Sequence, residues 1–109
     1  MTVSELCEAL EAKSICLPDK DRDVTGGAYV GDLLSWVMGR APADSAWVTI
    51  MSNLNVVAVA SLADVACVIL AEGVELDSDA KTKAENEGIN IISSEFPSYE
   101  LCVKLSNLL

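Results

Sequence analysis

Histidine is absent from this 109-residue chain. Without an imidazole there is no Ser-His-Asp or Cys-His arrangement for nucleophilic catalysis. The four cysteines, Cys7, Cys16, Cys67 and Cys102, stand at least nine residues apart. No Cys-x-x-Cys pair is therefore present to hold zinc or to run dithiol redox chemistry. They read as small buried hydrophobes in a reducing compartment. Cys16, with a loop after it, is the best placed of them to be an exposed reactive thiol. No lysine follows any glycine, so the P-loop pattern is missing, and so is G-x-G-x-x-G. No cofactor is expected. Basic residues are scarce, 7 against 17 acidic ones, for a net charge of −10. That balance repels phosphate backbones and anionic lipid, which excludes general nucleic-acid binding and membrane-surface roles. Long apolar runs are lacking too. Val56–Ala60 and Val65–Ala71 are far short of the roughly 20 residues of a membrane span. Met1-Thr2-Val3-Ser4-Glu5 carries neither a basic nor an apolar leader segment, so the expected location is the cytoplasm.

Apolar residues, by contrast, are plentiful. They make up 51% of the chain, and mean hydropathy is +0.37. In a single domain of this size, such an excess means strands buried on both faces, as in a parallel sheet, or apolar surface hidden in an oligomer. Both are expected here.

The pattern along the chain supports the parallel sheet. Thr2 and Glu5 fit a capping box opening a first helix to about Ala12, with Leu6, Ala9 and Leu10 inward. Ser14–Leu17 reads as a short strand stopped by Pro18, and 19–27 as a loop ending in Gly-Gly. Tyr29 to Gly39 reads as a helix, because Val30, Leu33, Leu34, Val37 and Met38 recur at helical spacing. Trp36 falls off that stripe, either flat on the surface or covered by another chain. Trp47–Met51 is a strand and Val65–Leu70 a fully buried one. A parallel pairing of the two needs a crossover of about a dozen residues, usually a helix. Asn53–Ala63 has that length, although its valines alone would suit a strand. Asp77 or Ser78 opens a charged helix reaching Glu87, with Gly88 just past its end. Ile89–Ile92 is a further strand. Pro97 opens a last helix whose inner face is Leu101, Cys102, Leu105, Leu108 and Leu109. The alternation predicts one α/β domain over residues 1–109, a three-layer α/β/α sandwich on a mostly parallel sheet.

Two places carry chemistry worth weighing. Glu72/Glu75 and Asp77/Asp79 are carboxylate pairs, but acids are favoured at a helix start, and a solvated face explains them. The segment Asp21-Arg22-Asp23-Val24-Thr25-Gly26-Gly27-Ala28-Tyr29 is more informative. Two glycines permit a tight turn or a close approach. A helix opening after them would aim free amides at the loop, the geometry that binds anions. Arg22 could add a bidentate clamp and Thr25 a hydroxyl. Arg22, Asp23, Thr25, Gly26 and Gly27 are thus the candidate site for a small phosphorylated or carboxylated ligand. The other readings are a turn in which Asp23 and Thr25 satisfy loop amides, and a loop touching another subunit.

Asp23-Val24-Thr25-Gly26-Gly27 resembles the motif of the DRTGG domain family at four of five positions, with Val24 where the motif has arginine. The stretches 29–35, 47–50, 55–62 and 84–89 are also similar to the family's continuation, so the resemblance spans essentially the whole chain. It implies a regulatory module. Such domains occur inside some phosphotransacetylases, beside CBS domains in some pyrophosphatases, and as stand-alone proteins, some of them encoded near iron-only hydrogenase components. The fold implied is similar to the N-terminal domain of HPr kinase/phosphorylase. A kinase activity does not follow, because this chain has no P-loop. The expected role is a non-catalytic regulatory or ligand-binding homodimer, with Trp36, Val56 and Val59 at its interface. The alternative is a docking subunit of a larger partner enzyme, such as a hydrogenase system.

Overall fold

The first helix starts where the capping box predicts. In the computed structural model, which describes all 109 residues, the Thr2 hydroxyl accepts from the Glu5 amide at 3.1 Å and the Glu5 carboxylate accepts from the Thr2 amide at 2.9 Å. Helix α1 (Val3–Ala9) buries Val3, Leu6 and Cys7. It stops short of Ala12 because Glu11 turns into the left-handed region at φ 53 and swings the chain into β1 (Lys13–Cys16). Strand β2 (Ala28–Val30) and helix α2 (Leu34–Arg40) follow. Then come β3 (Ala46–Thr49), α3 (Leu54–Ala63), β4 (Cys67–Leu70), α4 (Ser78–Glu87), β5 (Ile91–Ser93) and α5 (Ser98–Leu108).

The strands form one sheet in the order β1-β5-β4-β3-β2. β2 through β5 run parallel, and β1 joins β5 antiparallel with a bulge between Ser14 and Cys16. β3 and β4 are buried on both faces, as central parallel strands must be. α1 and α5 pack on one face over Val48, Cys67, Ile69 and Ile92. α2, α3 and α4 pack on the other over Trp47, Val68, Leu70 and Ile91. The molecule is therefore a three-layer α/β/α sandwich, and the two helix layers each have their own apolar core.

The helix expected over Tyr29–Gly39 is a strand and a shorter helix. Ala28-Tyr29-Val30 pairs with Ala46-Trp47-Val48. Gly31 is then pinned: its amide donates to the Val48 carbonyl at 3.1 Å and its carbonyl accepts from the Trp47 indole at 2.9 Å. Of the predicted stripe only Val37 is fully buried and Leu34 packs partly, while Val30, Leu33 and Met38 stand about half exposed. Pairing with β3 overrode a helical spacing that was partly coincidence.

Candidate functional site

The Asp23–Gly27 loop lies at the amino edge of the parallel strands, just before β2. Its first requirement is packing. Val24, at the motif's arginine position, is buried among the residues of α1, β3 and β4. At Gly26 a side chain has no room, since a Cβ would collide with the Ala43 carbonyl and stand 2.8 Å from the Ser45 amide nitrogen. The Gly26 amide already donates to the Asp44 carbonyl at 2.9 Å. After Gly27, which has φ +72, the chain enters a strand, so the helix start expected there is missing. The start of α1 does meet this loop, but its Val3 and Ser4 amides are taken by the Arg22 and Lys20 carbonyls at 3.0 and 2.9 Å.

Arg22 is committed as well. Its guanidinium donates to Asp44 Oδ1 at 3.1 and 2.8 Å, to Asp64 Oδ1 at 2.9 Å and to the Asp64 carbonyl at 2.8 Å. Burial works against the charge, but the hydrogen bonds to Asp44 and then Asp64 outweigh it and raise the guanidinium's pKa. Asp44 and Asp64 both sit in left-handed turns, at φ 60 and 56, immediately before β3 and β4. Arg22 thus ties together the three loops that feed β2, β3 and β4. The clamp that the sequence offered to an outside anion is closed on the chain's own carboxylates. Asp23 and Thr25 remain exposed at the rim.

The expected interface residues also divide. Trp36 is 52% exposed and carries the Arg40 guanidinium 3.7 Å above its ring, a cation–π contact that leaves the rest of the indole free. Val56 and Val59 are buried in the chain's own core. α3 is the middle helix of its layer, in contact with α2 on one side and α4 on the other. Its Leu54 and Leu62 are exposed, but Val56 and Val59 lie on the side covered by the sheet and the flanking helices, so these two valines cannot meet another copy.

The cysteines are all held as thiols. Burial pushes Cys67 up to about 12 and raises Cys7, Cys16 and Cys102. Cys16 is buried, and its Sγ donates to the Ile89 carbonyl at 3.6 Å; it is not the exposed thiol expected. Cys102 is the only one of the four with appreciable exposure.

Two concave places were not singled out by sequence. One is an apolar groove of about 330 Å³ between β2 and α5, lined by Ala28, Val30, Cys102, Leu105 and Leu109. α5 covers the centre of the sheet and leaves its β2 margin bare, so Val30 is half exposed. The β2 edge is open in its backbone too. Gly27 and Gly31 bond to Ala46 and Val48, and the alternation of a parallel ladder then turns Tyr29 toward β3 and the amides and carbonyls of Ala28 and Val30 outward. The other place is a cleft of about 310 Å³ at the carboxyl edge, between the start of β1 and the loop from β4 to α4. Lys13, Lys81, Glu75 and Glu95 stand round it, with Val74 and Leu76 on its wall. Small molecules bind preferentially at this end of parallel strands. The signal in the sequence would have been Lys13 and Lys81, two of only seven basic residues, each near the start of an element that begins at the carboxyl edge.

A single domain with a β1-β5-β4-β3-β2 sheet, three helices on one face and two on the other, has a DRTGG-like fold. The chain superposes with a TM-score of 0.80 on the crystal structure of the CBS and DRTGG domains of the regulatory region of Clostridium perfringens pyrophosphatase, complexed with its activator, diadenosine tetraphosphate. Sequence identity is 11%, and the match covers 95% of this chain and 45% of the other. The chain thus spans less than half the length of that structure, and the likeness is one of fold. No family model matches the chain, and no curated protein matches it in sequence. No helix is long and apolar enough to cross a membrane.

Proposed function

We propose that this chain is a regulatory module without chemistry of its own, which works in the cytoplasm as a homodimer joined along β2 and takes a small carboxylated or phosphorylated effector. The observation that carries the reading is the β2 margin. It is an open strand edge flanked by half-exposed Val30, Leu33 and Trp36 in a molecule whose net charge is −10. An unpaired apolar edge invites a further strand, and proteins that stay monomeric blunt such edges with lysines or bulges. The opposite edge, β1, is blunted in that way by Lys13 and the Ser14/Cys16 bulge. β2 is not. A two-fold axis beside β2 joins two copies into one continuous sheet and brings like apolar surfaces together, so that no pair of opposite charges is needed.

The regulatory part of the reading draws on the fold. The pyrophosphatase region that shares it is a regulatory one, solved with an activator bound. The thiols held protonated by burial agree with a role in binding rather than reaction. The reading is tested by sedimentation: the wild-type chain should run at about twice 11.5 kDa, and Trp36→Glu or Val30→Lys should shift it toward the monomer. A wild-type monomer at micromolar concentration, joined by no further copy but retained by a larger redox or metabolic enzyme, would instead favour a docking subunit that uses the same margin.

A further inference from the structure

We infer that the carboxyl-edge cleft is a site for a free amino acid with an apolar side chain. The inference rests on the reading that the chain takes a small effector, and it does not depend on how copies pair. The cleft holds charges of both signs. Lys13 and Lys81 stand on it together with Glu75 and Glu95. Both ion pairs in the molecule belong to Arg22, at the opposite end of the sheet. None of the four cleft groups is bonded to another, although oppositely charged side chains share one cavity of about 310 Å³.

All four side chains are exposed, and the backbone that carries them is fixed. The loop after β4 is tied to the loop after β5 by two backbone bonds at 2.9 Å, from the Glu72 amide to the Phe96 carbonyl and from the Gly73 amide to the Ser94 carbonyl. Gly73 lies at φ +69, and the Glu95 carboxylate rests 2.5 Å from where a Cβ would stand. Only glycine lets Glu95 lie over the cleft in this way. Glu72, by contrast, is already used, accepting from the Ser98 amide at 2.8 Å. On the other side, the Lys13 backbone is placed by the pairing of β1 with Ser93.

A simple anion meets two lysines here but also two carboxylates, and a simple cation meets the reverse. A zwitterion satisfies both pairs. Its carboxylate takes the ammonium groups of Lys13 and Lys81, its ammonium takes Glu75 and Glu95, and an aliphatic side chain lies on Val74 and Leu76. The cavity has the size of small-ligand pockets at the lower end of their range, roughly 300 Å³.

Calorimetric titration of the full chain with leucine, valine and methionine tests this, beside isocaproate, which lacks the ammonium, and isoamylamine, which lacks the carboxylate. At least one amino acid should bind at millimolar concentration or below, and each half-ligand should bind about tenfold more weakly or worse. Lys13→Ala and Glu95→Gln should each weaken the amino acid by a similar factor without altering the far-UV spectrum. Equal binding of isocaproate, or no binding by any of the three amino acids, overturns the inference. Inorganic phosphate and diadenosine tetraphosphate form a further arm. If either binds in a Lys13-dependent manner while the amino acids do not, the effector reading stands and the zwitterion falls. If nothing binds, both fall.

Discussion

At the scale of single residues, Val24 and Arg22 explain why the motif departs from its pattern. The sequence could not reveal that Val24 faces inward, because one position in a loop has no periodicity to read. In the structure it is 6% exposed, under α1. Val24→Arg, which restores the motif, should therefore destabilise the fold by about 3 kcal/mol or more by burying a guanidinium without a partner; chemical denaturation measures it. Arg22 was legible as a clamp but not as one already occupied, since Asp44 and Asp64 lie far along the chain. Arg22→Ala should lower stability by about 1–3 kcal/mol, the range for charge-assisted hydrogen bonds, with the lower part favoured because Asp64 is largely exposed. Cys67 supplies a pH signature. Its thiol titrates near 12 in the fold against 9.0 for a free one. Between those values the unfolded chain has lost a proton that the native chain keeps, so stability is full below pH 9 and falls as pH rises toward 12. The slope from this group approaches 1.4 kcal/mol per pH unit. Cys67→Ala should flatten the alkaline limb of a melting-temperature profile.

At the scale of elements, most of the fold could be read in advance. The capping box, the glycine after α4 and the proline before α5 are local signals. The buried strand β4 announces itself by composition. α3 is the instructive case. Its valines left helix and strand equally open, and the connection rule for parallel strands decided correctly for a helix. The same apolar face then misled, because it was read as surface awaiting a partner. A helix in the middle of a layer is apolar on three sides for internal reasons, and nothing local distinguishes that from an interface. Two substitutions separate the roles. Val56→Ala should cost about 2 kcal/mol of stability and leave the oligomeric mass unchanged. Val30→Lys, on the half-exposed side of β2, should change the mass and leave the stability of a single copy within about 0.5 kcal/mol. β2 itself was hidden because three residues are too few for an alternation to show, and a chance helical spacing ran across it. The Gly26 position was legible as a close approach, though not as an approach of backbone to backbone. Gly26→Ala should destabilise by about 1–3 kcal/mol, the range for overpacking against neighbours that cannot move.

At the scale of the whole molecule, acidity and hydrophobicity are distributed unevenly in a way that bears on function. The two apolar cores account for much of the hydrophobic excess, and part of the rest lies on the β2 margin at Val30, Leu33 and Trp36, with Leu62 and Tyr99 exposed elsewhere. The amino edge is closed by Arg22, the carboxyl edge is concave and charged, and one sheet edge is open. These parts fit a module whose ligand enters at one end and whose partner attaches at the side. An effector held in the cleft at 100 times its dissociation constant should raise folding stability by about 2.7 kcal/mol. Pairing along β2 makes a separate and more local demand. Amide hydrogen exchange should be followed at Ala28 and Val30 while protein concentration is lowered through the dimer's dissociation range. With the edges paired, these two amides are protected in the concentrated sample and become freely exchanging on dilution, while those of Cys67–Leu70 stay protected throughout. Equally fast exchange at Ala28 and Val30 at every concentration would contradict that pairing.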